Sequence, residues 1–405
     1  MFMVTAIIFH ISIFLFEIGY LQYTRRVLGR QELPETNPAL ERLIGKDQSV
    51  YKKQRDIANR GTWRRVCSIL STLIDFTVIV AFFSHRMREA IMKRLRGYRS
   101  LVRINCSHIR EPDVNFLVGA FFILGTKATV LEWAFNKNDG VLDLIVRLGI
   151  QIFRCTVIAP ILIWMFSSVY SKTKWGLVLS SYVAIVILIL IVNCTSLVPD
   201  LTDDLEVVPP GVFGERVEGE IDRLGLRNKV FWDKSDQLEN AALVKTGAAR
   251  HVMIMGNLLK YGKEEFIAFV AHEIGHAVDY STEKKLVATV FGLGLTCGGM
   301  LSTLHFISPK YEARGVSRFS VLAFAMLANI YIVSSMVNMF YNNLGILSEI
   351  NADLYAKGLG YGRHLAKGLY ALTVANNAPL FHSAPFTHYI QDHPTVSSRI
   401  GYLEK

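Results

Sequence analysis

The chemistry most legible in this chain lies in His272-Glu273-x-x-His276, where a spacing of four sets two imidazoles on one face of a helix. The surrounding stretch, 264–280, is rich in helix formers and opens with Glu264 and Glu265. It carries Phe266, Ile267, Val270 and Ile274 at helical spacing, so it is expected to be helical. A third ligand is offered by Glu349, and Asp353 follows it four residues later on the same helical face. Two His and one Glu leave the fourth tetrahedral position open to water, which is how zinc is held when it is catalytic rather than structural. Zinc lowers the pKa of such a water toward about 7, and Glu273 can then act as general base in attack on a peptide carbonyl. Asp353 is expected to accept the ring N–H of a liganding His. The competing reading of Asp353 is an acid on a solvated helix face.

The elements that must position these residues are mostly apolar. Of 405 residues, 51% are hydrophobic and only 19% charged, which points to a membrane protein. Seven apolar blocks, at 2–21, 66–83, 114–135, 141–169, 176–198, 286–307 and 319–341, approach the roughly 20 residues a helix needs to cross a bilayer. The first lacks a basic leader and a small-residue cleavage site and is interrupted by Glu17, so it is expected to stay as a span. The His pair precedes the sixth block and Glu349 follows the seventh. Two crossings therefore return the third ligand to the side of the first two.

Four regions follow: 1–198 with five spans and basic loops, 199–285 as an extramembrane segment bearing the His pair, 286–341 with two spans, and 342–405 supplying the third ligand. Within the second, Val217, Ile221 and Leu224 mark an amphipathic helix. A hairpin is expected from the strand-like 230–232, a turn at Lys245-Thr246-Gly247, and the alternating run 250–255.

The net charge of +10 comes largely from 25–65 and 86–110, and anionic lipid headgroups are its expected partner. Nucleic acid is not expected, because no aromatic-basic motif accompanies the charge. The five cysteines are scattered without a C-x-x-C pair, which supports neither a disulfide framework nor a thiolate metal site. Asp143, Arg147, Gln151 and Arg154 share one stripe of the fourth block, and Asp75, Lys127 and Glu132 lie in the second and third. They either line a hydrated chamber or pair between helices. Gly294 and Gly298 mark close helix packing, and the remaining histidines show no ligand spacing.

Read together, these motifs resemble the integral-membrane CAAX prenyl proteases of the zinc metallopeptidase type. Glu132-Trp133-Ala134-Phe135-Asn136-Lys137 is similar to that family's acidic residue followed by F-N-K. Asn240-Ala241-Ala242-Leu243 and the run 250–259 resemble its paired strands. Glu349 to Ala356 stands as its E-x-x-A-D-x-x-A, and His393-Pro394 with Arg399 as its H-P and following Arg. The chain departs from the pattern at Gly345-Ile346-Leu347, and at Ala242 and Leu243, where the family carries S-R-R and aromatic residues.

The resemblance implies an all-α multi-pass membrane protein: seven transmembrane helices forming a barrel around a water-filled chamber, with a zincin-like segment containing a small β-hairpin. It implies one zinc per chain, removal of the last three residues after a prenylated cysteine, and in some members a second cut further upstream. His393 would stabilise the oxyanion, Arg399 would support the site, and the strand at Asn240 would hold the substrate backbone. An endoplasmic reticulum membrane, with the inner nuclear membrane as a second location and the site facing the cytosol, is likewise implied. Charge does not decide orientation, since both basic loops are rich in Lys and Arg. The sequon Asn105-Cys106-Ser107 is weakly consistent with a lumenal second loop. Two other functions compete: a quality-control metallopeptidase acting on membrane proteins, and a seven-span receptor or transporter. The last would leave the joint placement of His272, Glu273, His276 and Glu349 without a reason.

Overall fold

The apolar blocks become helices wherever the chain is described. A computed structural model describes residues 2–45, 47–95, 111–135, 141–159, 161–163, 165, 170, 173, 175–194, 205–234, 239–246 and 249–405. The sequon, the ends of the 86–110 loop and 141–169 block, Asn136, Lys137 and the turn residue Gly247 lie outside these.

The first helices are α1 (Phe2–Gly29), α2 (Pro38–Ile44), α3 (Gln48–Phe83), α4 (His85–Leu95), α5 (Glu111–Phe135), α6 (Val141–Phe153) and α7 (Trp175–Cys194). Strand β1 (Glu206–Val207) and helix α8 (Glu215–Arg223) follow, then β2 (Val230–Asp233), β3 (Asn240–Thr246), β4 (Ala249–Met255) and α9 (Lys263–Asp279). The chain continues through α10 (Ser281–Ser302), α11 (Ser308–Glu312), α12 (Arg318–Gly358), α13 (Gly362–Ala375), α14 (Ala384–Ile390) and α15 (Val396–Leu403).

Among the described residues, four helical stretches are long and apolar enough to cross a membrane: Val4–Gly29, Gln48–Phe83, Trp175–Val192 and Ser281–Glu312. Phe116–Leu131 and Arg318–Asn329 are shorter apolar stretches. The protein is therefore a mostly helical, multi-pass membrane protein, while a count of seven rests on the sequence.

By its contacts the chain forms two compact units. One, 1–14, 64–184 and 292–336, is helical and centred on buried Phe82, Phe116 and Phe324. The rings of Phe82 and Phe324 stack at 3.8 Å. In this unit Lys127 pairs with Asp75, and the Gln151 amide donates to Phe121 O at 3.4 Å and to Cys155 Sγ at 3.3 Å. These contacts favour pairing between helices over a hydrated lining at those positions. A Cβ on Gly294 would stand 3.2 Å from the Tyr182 hydroxyl, whereas one on Gly298 would meet open space. Gly299 makes the second close approach instead, since a Cβ there would lie 2.5 Å from Asn329 Oδ1.

The other unit, 15–63, 185–291 and 337–405, holds the sheet and the His pair. Its strand order is β1-β2-β4-β3. The arms of the hairpin are β3 and β4, registered Leu243 to Val252. The expected first arm, at 230–232, is a strand, but it lies parallel to β4 on that strand's other side. The small hairpin is thus part of a four-stranded mixed sheet. Val252 and Ile254 of β4 are fully buried against α8 and α9, where Val217, Ile221, Phe266, Val270 and Ile274 complete the core. Burial of these apolar side chains, each contributing about 1.5–3 kcal/mol, anchors α9 in the unit.

Candidate metal centre

Helix α9 begins beyond Gly262, whose φ of 125° is open to glycine and whose missing Cβ leaves room for the Glu265 carboxylate. Glu264 and Glu265 in the first turn complement the helix dipole. Glu265 also accepts from Lys367 Nζ at 2.7 Å, which ties α9 to α13. The helix ends at Tyr280, a left-handed residue at φ 53°, and α10 starts immediately after it. The His pair consequently sits in the last turns of a buried helix, next to a candidate span.

The imidazoles of His272 and His276 stand 4.7 Å apart, ring centre to ring centre. One ligand atom from each, with one from Glu273, falls within a 4.8 Å cluster suited to a metal ion. Glu349 comes from α12, its Oε2 3.4 Å from His272 Nε2 and its Oε1 3.2 Å from His276 Nε2. Close approach of the two helices depends on Gly275, where a Cβ would lie 2.7 Å from the Ala352 Cα and 3.0 Å from its carbonyl oxygen.

Behind these groups lies a buried layer. His272 Nδ1 is 2.9 Å from Asp353 Oδ1. Arg399 of α15 donates from Nε and Nη2 to the two Asp353 oxygens at 2.8 and 2.7 Å, and its Nη1 is 3.1 Å from Glu349 Oε2. The Tyr402 hydroxyl donates to Asp353 as well. His393, half exposed, has Nε2 3.2 Å from Glu349 Oε1 and Nδ1 2.6 Å from Asp392 Oδ1. A Cβ on Gly345 would lie 2.6 Å from the Asp392 carbonyl, so that glycine lets the His393 loop close on α12. Glu273 accepts the Leu243 backbone N–H at 2.7 Å, which fastens it to the outer strand β3. Asn240 is exposed on the same strand, three residues before Leu243.

The electrostatics follow from burial and from this pairing. Burial would lower the His272 pKa, but the hydrogen-bonding and charge of Asp353 and Glu349 raise it to about 10. Burial alone would raise Glu349 and Asp353, and Arg399 with His272 holds both well below the usual carboxylate range. Glu273 moves the other way. Burial pushes it up, reinforced by the Glu349 charge and only partly opposed by His272 and His276. For His393, burial is outweighed by Asp392 and Glu349, which raise it to about 9.

The donor set fits a divalent cation. Two imidazole Nε2 atoms and a carboxylate converge in a buried space, the two Glu349 oxygens standing 3.4 and 3.2 Å from the ring nitrogens. Borderline-soft nitrogen plus carboxylate is the ligand chemistry of zinc. The sequence did not single out Tyr402, Asp392, Gly275 or the Leu243 N–H. Only Gly275, inside the His motif, offered a local signal.

Residues 215–405 match the model of Peptidase family M48. Over 166 residues the chain is 26% identical to a protein of Schizosaccharomyces pombe named "Probable CAAX prenyl protease 1". That alignment takes in 38% of this chain and 33% of the relative, so the chain spans about a third of that relative's length. The crystal structure of Ste24p from S. mikatae shares the fold, with a TM-score of 0.64 and 18% identity over 100% of this chain and 99% of that one. Fold and site describe a multi-pass membrane protein with a candidate metal centre, whose C-terminal part resembles Peptidase family M48.

Proposed function

We propose that this chain is a zinc endopeptidase that removes the C-terminal tripeptide from prenylated CAAX proteins. The observation that carries the reading is the convergence of His272, His276 and Glu349 beside Glu273, within a multi-pass membrane protein similar to the named prenyl protease. His272, His276 and Glu349 would hold the zinc, one ion per chain. When bound, zinc supplies Lewis-acid polarisation of the scissile carbonyl and a more acidic water.

The remaining work falls to the chain's own side chains. Glu273, its pKa raised by burial, takes the proton of the attacking water and passes it to the leaving amine. Asp353 fixes the His272 ring, and Arg399 keeps Asp353 and Glu349 anionic and in place. His393 is a donor toward the developing oxyanion, charged at neutral pH by Asp392 and Glu349. The outer strand β3, from Asn240 onward, offers the edge on which an extended substrate adds as a further strand. The four regions 1–198, 199–285, 286–341 and 342–405 would divide the labour between lipid passage and cleavage. We place the enzyme in the endoplasmic reticulum membrane with this site on the cytosolic side.

A quality-control protease would share the zinc chemistry but not a dependence on the lipid. The deciding experiment is cleavage of a farnesylated C-a-a-X peptide by the purified protein, beside Glu273→Gln and an unprenylated control. Release of the tripeptide that requires zinc and the prenyl group, and is lost in Glu273→Gln, is the expected result. Equal cleavage of both peptides would overturn the prenyl specificity and leave a general membrane protease.

A further inference from the structure

Away from the candidate metal centre, a cavity of about 720 Å³ lies between α1 and α3, lined by Arg25, Arg26, Arg30, Arg55, Asn59 and Trp63 among others. Its lining includes no acidic side chain. None of the four arginines is ion-paired among the described residues, and the one hydrogen bond shaping the group runs from Arg25 Nη1 to Asn59 Oδ1 at 3.2 Å. Four guanidinium groups that repel one another gather in one pocket without an internal counter-charge. Such a cluster attracts an anion, and guanidinium forks match phosphate oxygens in a bidentate way.

The position along the helices says which anion. The apolar block of α1 stops at Leu21 and that of α3 begins at Val66, five residues or about 7.5 Å of helix past the Gly61 that faces Leu21. Leu21 and Gly61 meet, since a Cβ on Gly61 would stand 3.1 Å from a Leu21 methyl. The pocket opens immediately beyond, from Gln22 to Arg30, a rise of about 12 Å at 1.5 Å per residue. A headgroup layer is about 5–8 Å deep on each side of the hydrocarbon, so Arg25 and Arg26, four and five residues past Leu21, fall within that layer while Arg30 and Arg55 reach beyond it. Trp63, 64% exposed on the pocket's rim, is the amphipathic ring expected at such an interface.

We propose that this pocket is a binding site for the headgroup of an anionic phospholipid carrying a phosphate monoester. Such a headgroup presents more than one negative charge to the four guanidinium groups, while its acyl chains stay in the bilayer below Trp63. A zwitterionic headgroup brings a cation with its phosphate and is disfavoured. This site lies in the same unit as the metal centre, but the inference does not depend on the protease reading.

The test is native mass spectrometry of the full-length purified protein in detergent, titrated with phosphatidylinositol 4-phosphate or with phosphatidylcholine of the same acyl chains. The monophosphate should be retained well above phosphatidylcholine. Arg30→Gln/Arg55→Gln should weaken it by the order of tenfold or more, while Arg363→Gln/Lys405→Gln, an equal charge change elsewhere, should not. Arg25→Gln/Arg26→Gln is the second variant should the first misfold, with unchanged melting and metal content as the check of the fold. Equal retention of both lipids, or equal loss in the control variant, would overturn the site. Competition by inositol 1,4-bisphosphate as effective as by the lipid would assign a soluble phosphate ligand instead, and by an acidic peptide an extended protein partner. Either result overturns the lipid proposal.

Discussion

Arg399 holds Asp353 through two parallel N–H donors, at 2.8 and 2.7 Å, in a position where Asp353 has no exposure to solvent. The pair links the last helix of the chain to the helix that presents Glu349. Its Nη1, 3.1 Å from Glu349, extends the same guanidinium to the ligand set.

Replacing Arg399 by Leu would strand two buried carboxylates. The expected loss is about 3–5 kcal/mol of stability, the range for breaking one side of a buried ion pair. Arg399→Lys keeps the charge but not the fork, so it should fold and lower metal affinity by about 10–100-fold. Thermal melting and a competitive metal titration read the two effects separately. A fully stable Arg399→Leu would show that the layer behind the ligands is not structural.

At Gly275 the space, rather than the backbone angle, is decisive. Gly275→Ala drives a methyl against the Ala352 backbone and should cost about 1–3 kcal/mol while pushing α9 from α12. The metal should be held more weakly in proportion. Gly219→Ala on α8, where a Cβ meets nothing within 4 Å, is the matched control and should be neutral or stabilising.

His393→Ala should leave metal content near normal, since the residue is half exposed and its contact is to one Glu349 oxygen. If it donates to the oxyanion, kcat should fall by about 10²–10³ with a smaller change in KM. A change confined to KM would move His393 from the chemistry to substrate binding.

Metal binding should release a proton at neutral pH. In the metal-free protein, His272 has a pKa raised to about 10, so it is protonated at pH 7 and must give up the Nε2 proton to become a ligand. The sign follows: affinity rises with pH by up to about tenfold per unit until pH approaches the raised pKa, and levels off above it. Calorimetric titration of zinc at pH 7, in buffers of different ionisation enthalpy, counts the protons. A count near zero would mean that His272 is neutral before the metal arrives.

The candidate site was legible where the signal was local. The spacing of His272 and His276 is a property of one helix, and Glu349 stands within 3.4 Å of both rings. Asp353 was legible because it shares a helical face with Glu349. Tyr402 and Asp392 were not, because their neighbours are set by how α15 and the His393 loop fold back onto α12. The sheet shows the same division. Strand character at 230–233 follows from side-chain type, but its parallel partner is chosen by which strand lies beside β4. In the spans, Gly298 and Gly299 differ by one residue, about 100° of helix rotation, and only packing tells which meets a neighbour. Four helical stretches reach spanning length and hydropathy among the described residues, and α5 and α12 carry the blocks at 114–135 and 319–341 as helices.

The central claim is that His272, His276 and Glu349 form one metal site, and zinc analysis of the purified full-length protein tests it most directly. Inductively coupled plasma mass spectrometry should find about one zinc per chain in the parent and in Glu273→Gln, and a large loss in Glu349→Ala with the helical content retained. Unchanged zinc in Glu349→Ala, or no zinc in a folded parent offered the metal, would contradict the account.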